Sequence, residues 1–316
     1  MNRHTLAFVL FLITAALGSH FAHSATITWT NTSGGNWSVT NNWSPNQVPT
    51  NTDTALITTP GTYTVNLDVP GVVTNLTLGA GGGAAGVQTF VMTNSFNANS
   101  LLLVTGGGVL DASGENAVIS AAMTVANGGV LNLSANYYDF QFTVNPLIVT
   151  NGGLVNASGE PIYGFSFGST IYGAVTVANG GVFDINGAFG TVTVANGGLM
   201  TAAGSAVALT VAHGGVLDIT NGLSLVAPLI NSGTINLTNA GIGLVNNDYS
   251  GGAGGLVNQP GGLINLQGSG GITAAAGAGY YFGYVTNQGV IIQISGTNSI
   301  SVPASFDNSL GTLLNV

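Results

Sequence analysis

The chain has 316 residues with a single Lys or Arg, ten Asp or Glu, no Cys and a formal net charge of −9. Because the one base is Arg3, everything downstream lacks the cations that neutralise phosphate backbones or anionic lipid, which excludes nucleic acid and charged membrane surfaces as partners. Without Cys there is neither a disulfide framework nor a thiolate metal site, so burial and backbone pairing must hold the fold together.

Arg3 and His4 precede an apolar stretch at 6–17, and small residues follow around Ala22, His23 and Ser24. That order predicts a secretory signal peptide over 1–24, cut before Ala25, and hence a secreted or outer-surface location. About 12 apolar residues are too few to span a bilayer. The mean hydropathy is +0.47, yet no later apolar run approaches the roughly 18 residues of a spanning helix, so no transmembrane segment is expected in the mature chain. Fifty glycines with many Asn, Thr and Val suit turns and strands rather than helices.

Residues 25–70 differ from the rest and are expected to form an N-terminal cap or first coils. They hold all three tryptophans, Trp29, Trp37 and Trp43, followed by Pro45, Pro49 and Asp53 before the apolar Ala55, Leu56 and Ile57. Clustered tryptophans serve either as a lid over the open end of a core or as an aromatic platform for sugar rings. The run of a Trp, Gly-Asn-Trp-Ser, Asn-Trp-Ser-Pro, Val-Pro and an Asp before an apolar strand resembles the opening of secreted β-helix proteins of Gram-negative bacteria. That resemblance implies an exported surface protein of adhesin or autotransporter-passenger type.

From residue 71 to 316 the sequence predicts a β-solenoid. The phrase TVANGGVLNL at 124–133 returns as TVANGGVFDI at 176–185, TVANGGLMTA at 193–202 and TVAHGGVLDI at 210–219. Aligning on the residue after the turn gives Val109, Val130, Leu154, Val182, Leu199, Val216, Thr234, Leu263 and Val290. Spacings run from 17 residues (182 to 199) to 29 (234 to 263). A constant phrase with variable spacing fits an all-β parallel β-helix of about nine or ten irregular coils, where strands and corner are fixed and other loops vary. The alternative is an antiparallel sandwich or barrel built from Gly-turn hairpins.

The columns sort by face. Leu110, Leu131, Val155, Phe183, Met200 and Leu217 lie one position after the alignment point, with Ala112, Leu133, Ala157, Ile185, Ala202 and Ile219 two further on. Period-two spacing puts both columns inside. Between them run Asp111, Asn132, Asn156, Asp184, Thr201, Asp218, Asn236 and Asn265, expected to point outward, where stacked Asn side chains hydrogen-bond along the axis. The Gly-Gly pairs are expected to supply positive φ at the corner.

Candidate chemistry is sparse. GFSFG at 164–168 matches a nucleophile-elbow pattern, and Asp184 and His213 follow Ser166 in hydrolase order, but a β-prone coil stands where that motif needs a helix. His213 replaces Asn in the repeat, as a turn residue does. Asp184 and Asp218 share a column two registers apart, roughly 9.6 Å at the usual strand spacing, near the upper limit for an inverting glycosidase pair. GGAGGLVNQ at 251–259 resembles half of a calcium nonapeptide, with Gly255 where the ligand Asp belongs. GGGAAG at 81–86 matches a phosphate loop by composition alone. Neither a metal site nor a cofactor is expected, and the Thr residues at 124, 176, 193 and 210 are too irregular for lattice matching to ice. The sequence therefore reads as a non-catalytic structural or adhesive element with extracellular glycans or surface proteins as partners. A carbohydrate-binding or polysaccharide-hydrolysing β-helix is the alternative.

Overall fold

The computed structural model describes residues 24–316 apart from 82, 113–117, 136–140, 160–169, 248–251, 275–282 and 303–304. The signal-peptide expectation and Ser166 fall outside the described residues. The described chain winds through three parallel sheets, which we call I, II and III in the order the chain meets them. Sheet I starts with Thr26–Trp29 and Thr54–Ile57 and ends with Ser305–Asp307. Sheet II runs from Gly35–Asn36 and Tyr63–Leu67 to Thr312–Asn315. Sheet III starts in the first half of Gly71–Leu78 and ends with Thr297–Ser301.

The protein is a parallel β-helix. Among the described residues, antiparallel pairing is confined to Thr28–Trp29 against Trp43–Ser44 and to Asn246–Asn247 against Gly252–Ala253, so the Gly-turn hairpin sandwich is overturned. The aligned column is a single register: Val109 pairs with Val130, then Leu154, Val182, Leu199, Val216, Thr234, Leu263 and Val290 follow in turn. The register also continues in both directions, to Thr89 before Val109 and to Thr312 after Val290. Both flanking coils lack the repeat phrase; Gln88–Met92 keeps the alternating burial, whereas Thr312–Asn315 is exposed throughout.

The corner between sheets I and II is the constant part of each coil. Val104, Val125, Val149, Val177, Val194 and Val211 close sheet I strands, and five positions later Val109, Val130, Leu154, Val182, Leu199 and Val216 open sheet II. Asn127, Asn151 and Asn179 take φ of 52°, 48° and 48°, and the following Gly128, Gly152 and Gly180 take 80°, 76° and 80°. Two consecutive positive φ values define the tight turn that Asn-Gly favours. Only the first glycine of each pair supplies positive φ. The second is required by proximity, since a Cβ on Gly153 would stand 2.1 Å from the Val125 carbonyl oxygen, and one on Gly181 2.3 Å from that of Val149.

The corners also hydrogen-bond to one another. Asn151 N–H donates to the Asn179 carbonyl at 3.0 Å, Gly180 N–H to Gly197 at 2.6 Å and Gly197 N–H to Gly214 at 2.9 Å, while Ala178 N–H reaches back to Val149 at 2.9 Å. Parallel pairing thus passes through the turn without a break. In the shortest coils the rest of the turn of the helix is one bent strand, Val182–Val194 and then Leu199–Val211. The extra residues of longer coils fall away from this corner in sequence, at 136–140 and 160–169 between sheets II and III, and at 248–251 and 275–282 between III and I.

Inward positions stack like on like. Leu110, Leu131, Val155, Phe183, Met200, Leu217, Ile235 and Ile264 form one fully buried row on sheet II, and Ile27 to Val285 form its counterpart on sheet I. At the late corners the sheet I valine gives way to asparagine: Val211 pairs with Asn231, then Asn258 and Asn287. These three are at most 1% exposed. Asn231 Nδ2 donates to Asn258 Oδ1 at 2.7 Å, Asn258 Nδ2 to Asn287 Oδ1 at 2.7 Å and Asn287 Nδ2 to Asn308 Oδ1 at 2.6 Å. An amide ladder suits this interior because each side chain offers a donor and an acceptor along the axis, so no buried polar group is stranded.

The two glycines of one corner should respond differently to substitution. Gly180→Asn, at a positive-φ position where a Cβ meets only the Gly152 nitrogen at an ordinary 3.7 Å, is expected to cost less than about 1 kcal/mol because Asn reaches the left-handed region. Gly181→Ala should cost about 1–3 kcal/mol by overpacking against the neighbouring coil, read as a lower urea midpoint.

Candidate functional site

The tryptophans lie inside the solenoid's beginning. Trp29 closes the first sheet I strand and pairs across an antiparallel step with Trp43, and Trp37 N–H donates to the Asn66 carbonyl at 2.8 Å, tying the loop to sheet II. All three rings are 0–1% exposed. Trp29 meets Trp43 edge to face at 5.0 Å, Trp43 meets Trp37 at 4.7 Å, and Trp37 contacts Phe90 at 5.4 Å and Phe96 at 5.7 Å. The Trp43 indole N–H donates to the Trp37 carbonyl at 2.9 Å and that of Trp29 to Asn31 at 2.7 Å. The indoles are thus spent on one another and on the backbone, leaving no ring face for a sugar; the arrangement is a lid over the apolar end and its strand edges.

Two carboxylates fasten this lid. Asp53, 3% exposed, accepts from the Thr50 amide at 2.8 Å, the Thr50 hydroxyl at 2.7 Å and the Ala25 amide at 3.1 Å. Asp68 accepts from the Ser38 amide at 3.0 Å and from the Ser38 hydroxyl. In both, burial pulls the pKa upward, but the hydrogen bonds, from Thr50 and Ala25 to Asp53 and chiefly from Ser38 to Asp68, outweigh it and hold the carboxyl below its ordinary value.

Asp184 and Asp218 stand on the outer face of sheet II with Thr201 between them in register. Asp184 is exposed and Asp218 half-buried. The Asp218 carboxylate accepts from Asn236 Nδ2 at 2.7 Å, and Asn265 Nδ2 donates on to Asn236 Oδ1 at 2.8 Å. In the same column Asn156 donates to Asn132 at 2.9 Å. The aspartates are therefore members of a surface polar ladder on an open sheet. His213 is an exposed corner residue of the Asp218 coil, two registers on from Asp184. Gly255 lies in the sheet I strand Gly255–Asn258, where a Cβ would strike the Tyr284 ring. Gly83–Ala85 forms a single 3-10 turn. Among the described residues no three His, Cys, Asp or Glu side chains come together as metal ligands, and no helix is long and apolar enough to cross a membrane.

A continuous surface that the sheet II columns did not reveal is the outer face of sheet I. Its central column reads Thr28, Leu56, Thr77, Leu103, Thr124, Ile148, Thr176, Thr193, Thr210, Ile230, Val257 and Thr286, one residue per coil in unbroken register. Every member is uncharged, and the column meets its first carboxylate at Asp307, after Thr286. A second surface feature is an open trough of about 520 Å³ at sheet III, lined by Asn221, Ser224 and Thr273, by glycines and by the apolar Ala203, Leu223 and Ile242.

No protein-family model matches the chain, and no curated protein matches it. Among solved structures it is similar to the TibC-catalysed hyper-glycosylated fragment 55–350 of TibA, at 16% sequence identity and a TM-score of 0.28, over 93% of this chain and 97% of that one.

Depressed carboxyl values in the fold fix the sign of the acid response. The contribution of Asp53 and Asp68 is complete above the unfolded carboxylate pKa of about 3.9 and is lost as pH falls through their lower folded values. Acid titration followed by tryptophan fluorescence should show the lid loosening below about pH 4, and Asp53→Asn with Asp68→Asn should flatten that response while lowering stability at neutral pH.

Proposed function

We propose that this chain is an exported, non-catalytic solenoid that acts at the cell surface or outside the cell as a structural and adhesive element. The observation that supports this reading best is the outer face of sheet I. It is long, regular and uncharged, with hydroxyl and aliphatic side chains interspersed from Thr28 to Thr286. Such a face offers hydrogen bonds and shallow apolar contact over many coils at once, with little desolvation cost because no ion has to be stripped of water. The carboxylates of Asp111, Asp184 and Asp218 are kept to sheet II. Partners of matching chemistry are neutral glycans or the uncharged surfaces of other extracellular proteins.

Carbohydrate binding in the sheet III trough is a second reading, favoured by the amide and hydroxyl groups of Asn221, Ser224 and Thr273 beside glycine and aliphatic lining. Hydrolysis by Asp184 and Asp218 draws less support, because one of the pair is held by Asn236.

Placing carboxylates on sheet I tests the main reading. Thr176→Glu with Thr210→Glu should reduce attachment of the purified protein to whole cells and glycan surfaces by about tenfold or more, since 1.4 kcal/mol already gives tenfold and an unpaired buried charge costs more than that. Asp184→Asn with Asp218→Asn should leave attachment unchanged. Attachment indifferent to the sheet I changes, or polysaccharide turnover abolished by the Asp pair, would overturn the proposal.

A further inference from the structure

Ala25 is the residue that the leader pattern makes the first of the processed chain, and its nitrogen already points at a buried carboxylate. Its N–H donates to Asp53 Oδ1 at 3.1 Å, while its carbonyl accepts from Thr54 N–H at 2.8 Å. The two bonds fix the direction of the chain at this residue. Ser24, one position earlier, is exposed. Asp53 is held from behind as well, since Thr74 N–H donates to its carbonyl at 2.8 Å, and Thr50 binds the other carboxylate oxygen through amide and hydroxyl.

This carboxylate is only 3% exposed and its partners are all neutral donors. Those hydrogen bonds already hold it ionised despite its burial, and an opposite charge at the same place would make the contact charge-assisted at both ends. Beyond residue 24 the sequence contains no Lys and no Arg, so no side chain but His213 could carry a positive charge, and His213 stands on a sheet II corner many coils away. One cation remains that proteolysis itself would create. Hydrolysis of the Ser24–Ala25 amide adds water across the bond, giving a Ser24 carboxylate on the released leader and an α-ammonium on Ala25.

We propose that Ser24–Ala25 is the processing site and that the freed Ala25 ammonium docks on Asp53 as the one ion pair of the mature lid. The inference rests on the export reading above. Replacing one amide N–H by an ammonium keeps the existing hydrogen bond and makes it charge-assisted at both ends, roughly doubling its strength. Export and closure of the solenoid's first coil are thereby coupled: the unprocessed chain presents an amide to Asp53, and the processed chain presents its full counter-charge. Asp53 is thus a docking residue for the new N-terminus, and Thr50 positions it.

The absence of lysine makes the test direct, because the α-amine is the sole primary amine of residues 25–316 once they are processed. Protein expressed from the full reading frame is recovered after export, its first residue is identified by mass spectrometry, and its labelling by an amine-reactive ester is timed. The expected result is Ala25 at the N-terminus, labelled at least tenfold more slowly in the native protein than after denaturation in urea. A variant with one Gly inserted between Ser24 and Ala25 should label at the denatured rate, and Asp53→Asn should lose protection. A first residue other than Ala25 overturns the processing site, and an Ala25 amine that labels equally fast in native and denatured protein overturns the ion pair even where export is correct. If Asp53→Asn does not fold, the native-to-denatured ratio of the unaltered protein decides the matter. Attachment to cells is not part of the readout, so failure of the adhesive reading leaves this result intact.

Discussion

Each Gly-Gly corner of the solenoid packs its backbone directly against the coil before it. Parallel strands must lie about 4.8 Å apart to hydrogen-bond, and at a tight corner the backbone has no room to bow outward. A Cβ on the second glycine would sit 2.1–2.5 Å from the valine carbonyl of the preceding coil at positions 129, 153, 181, 198 and 215. The Gly-Gly pair is therefore two separate requirements written side by side: the first residue must reach positive φ, and the second must have no side chain. Once both are met, the turn amides can bond to the next turn and the three sheets become one continuous hydrogen-bonded stack.

From that constraint the interior follows. Identical spacing at the corner brings the same strand position of every coil into line, so side chains need only match their own row. Long aliphatic rows fill sheets I and II, and where the row becomes Asn231, Asn258 and Asn287 the amides satisfy each other along the axis. The ends are different, because a stack of like rows has no natural stop. Trp29, Trp37 and Trp43 close the first coil by packing crosswise against one another and against Phe90 and Phe96.

Much of this was legible in the sequence because the repeat phrase marks the corner and period-two alternation marks the faces. The register from Val109 to Val290 and the outward Asn/Asp ladder follow from alignment alone. The last coil was visible as well, since FDNSLGTLLNV at 306–316 resembles INSGTINL at 230–237, but the coil before Val109 was not, because Gln88 stands before Thr89 where the other registers have glycine. The buried Asn ladder was also missed: Asn231, Asn258 and Asn287 end sheet I strands where earlier coils have Val, and an isolated Asn near a turn reads as a surface residue. Pairing both glycines with positive φ was a natural error, because composition signals conformational freedom more readily than close approach. The tryptophans were ambiguous between lid and sugar platform, a choice that only burial could make. Of the uncharged sheet I column only Thr124, Thr176, Thr193 and Thr210 stood out, because they open the repeat phrase; Leu56, Leu103, Ile148, Ile230 and Val257 continue it outside that phrase.

The in-register stack on which both the sheet I face and the lid depend can be tested by cysteine pairing, since the chain has no native Cys. Thr193 and Thr210 are register partners on adjacent coils, within the Cα separation of about 4.4–6.8 Å that a disulfide spans. Thr193→Cys with Thr210→Cys should oxidise rapidly to an intramolecular disulfide with the fold retained. Thr193→Cys with Met200→Cys, which a hairpin at Asn196-Gly197 would set opposite each other, should not close. Closure of the second pair and not the first would contradict the solenoid.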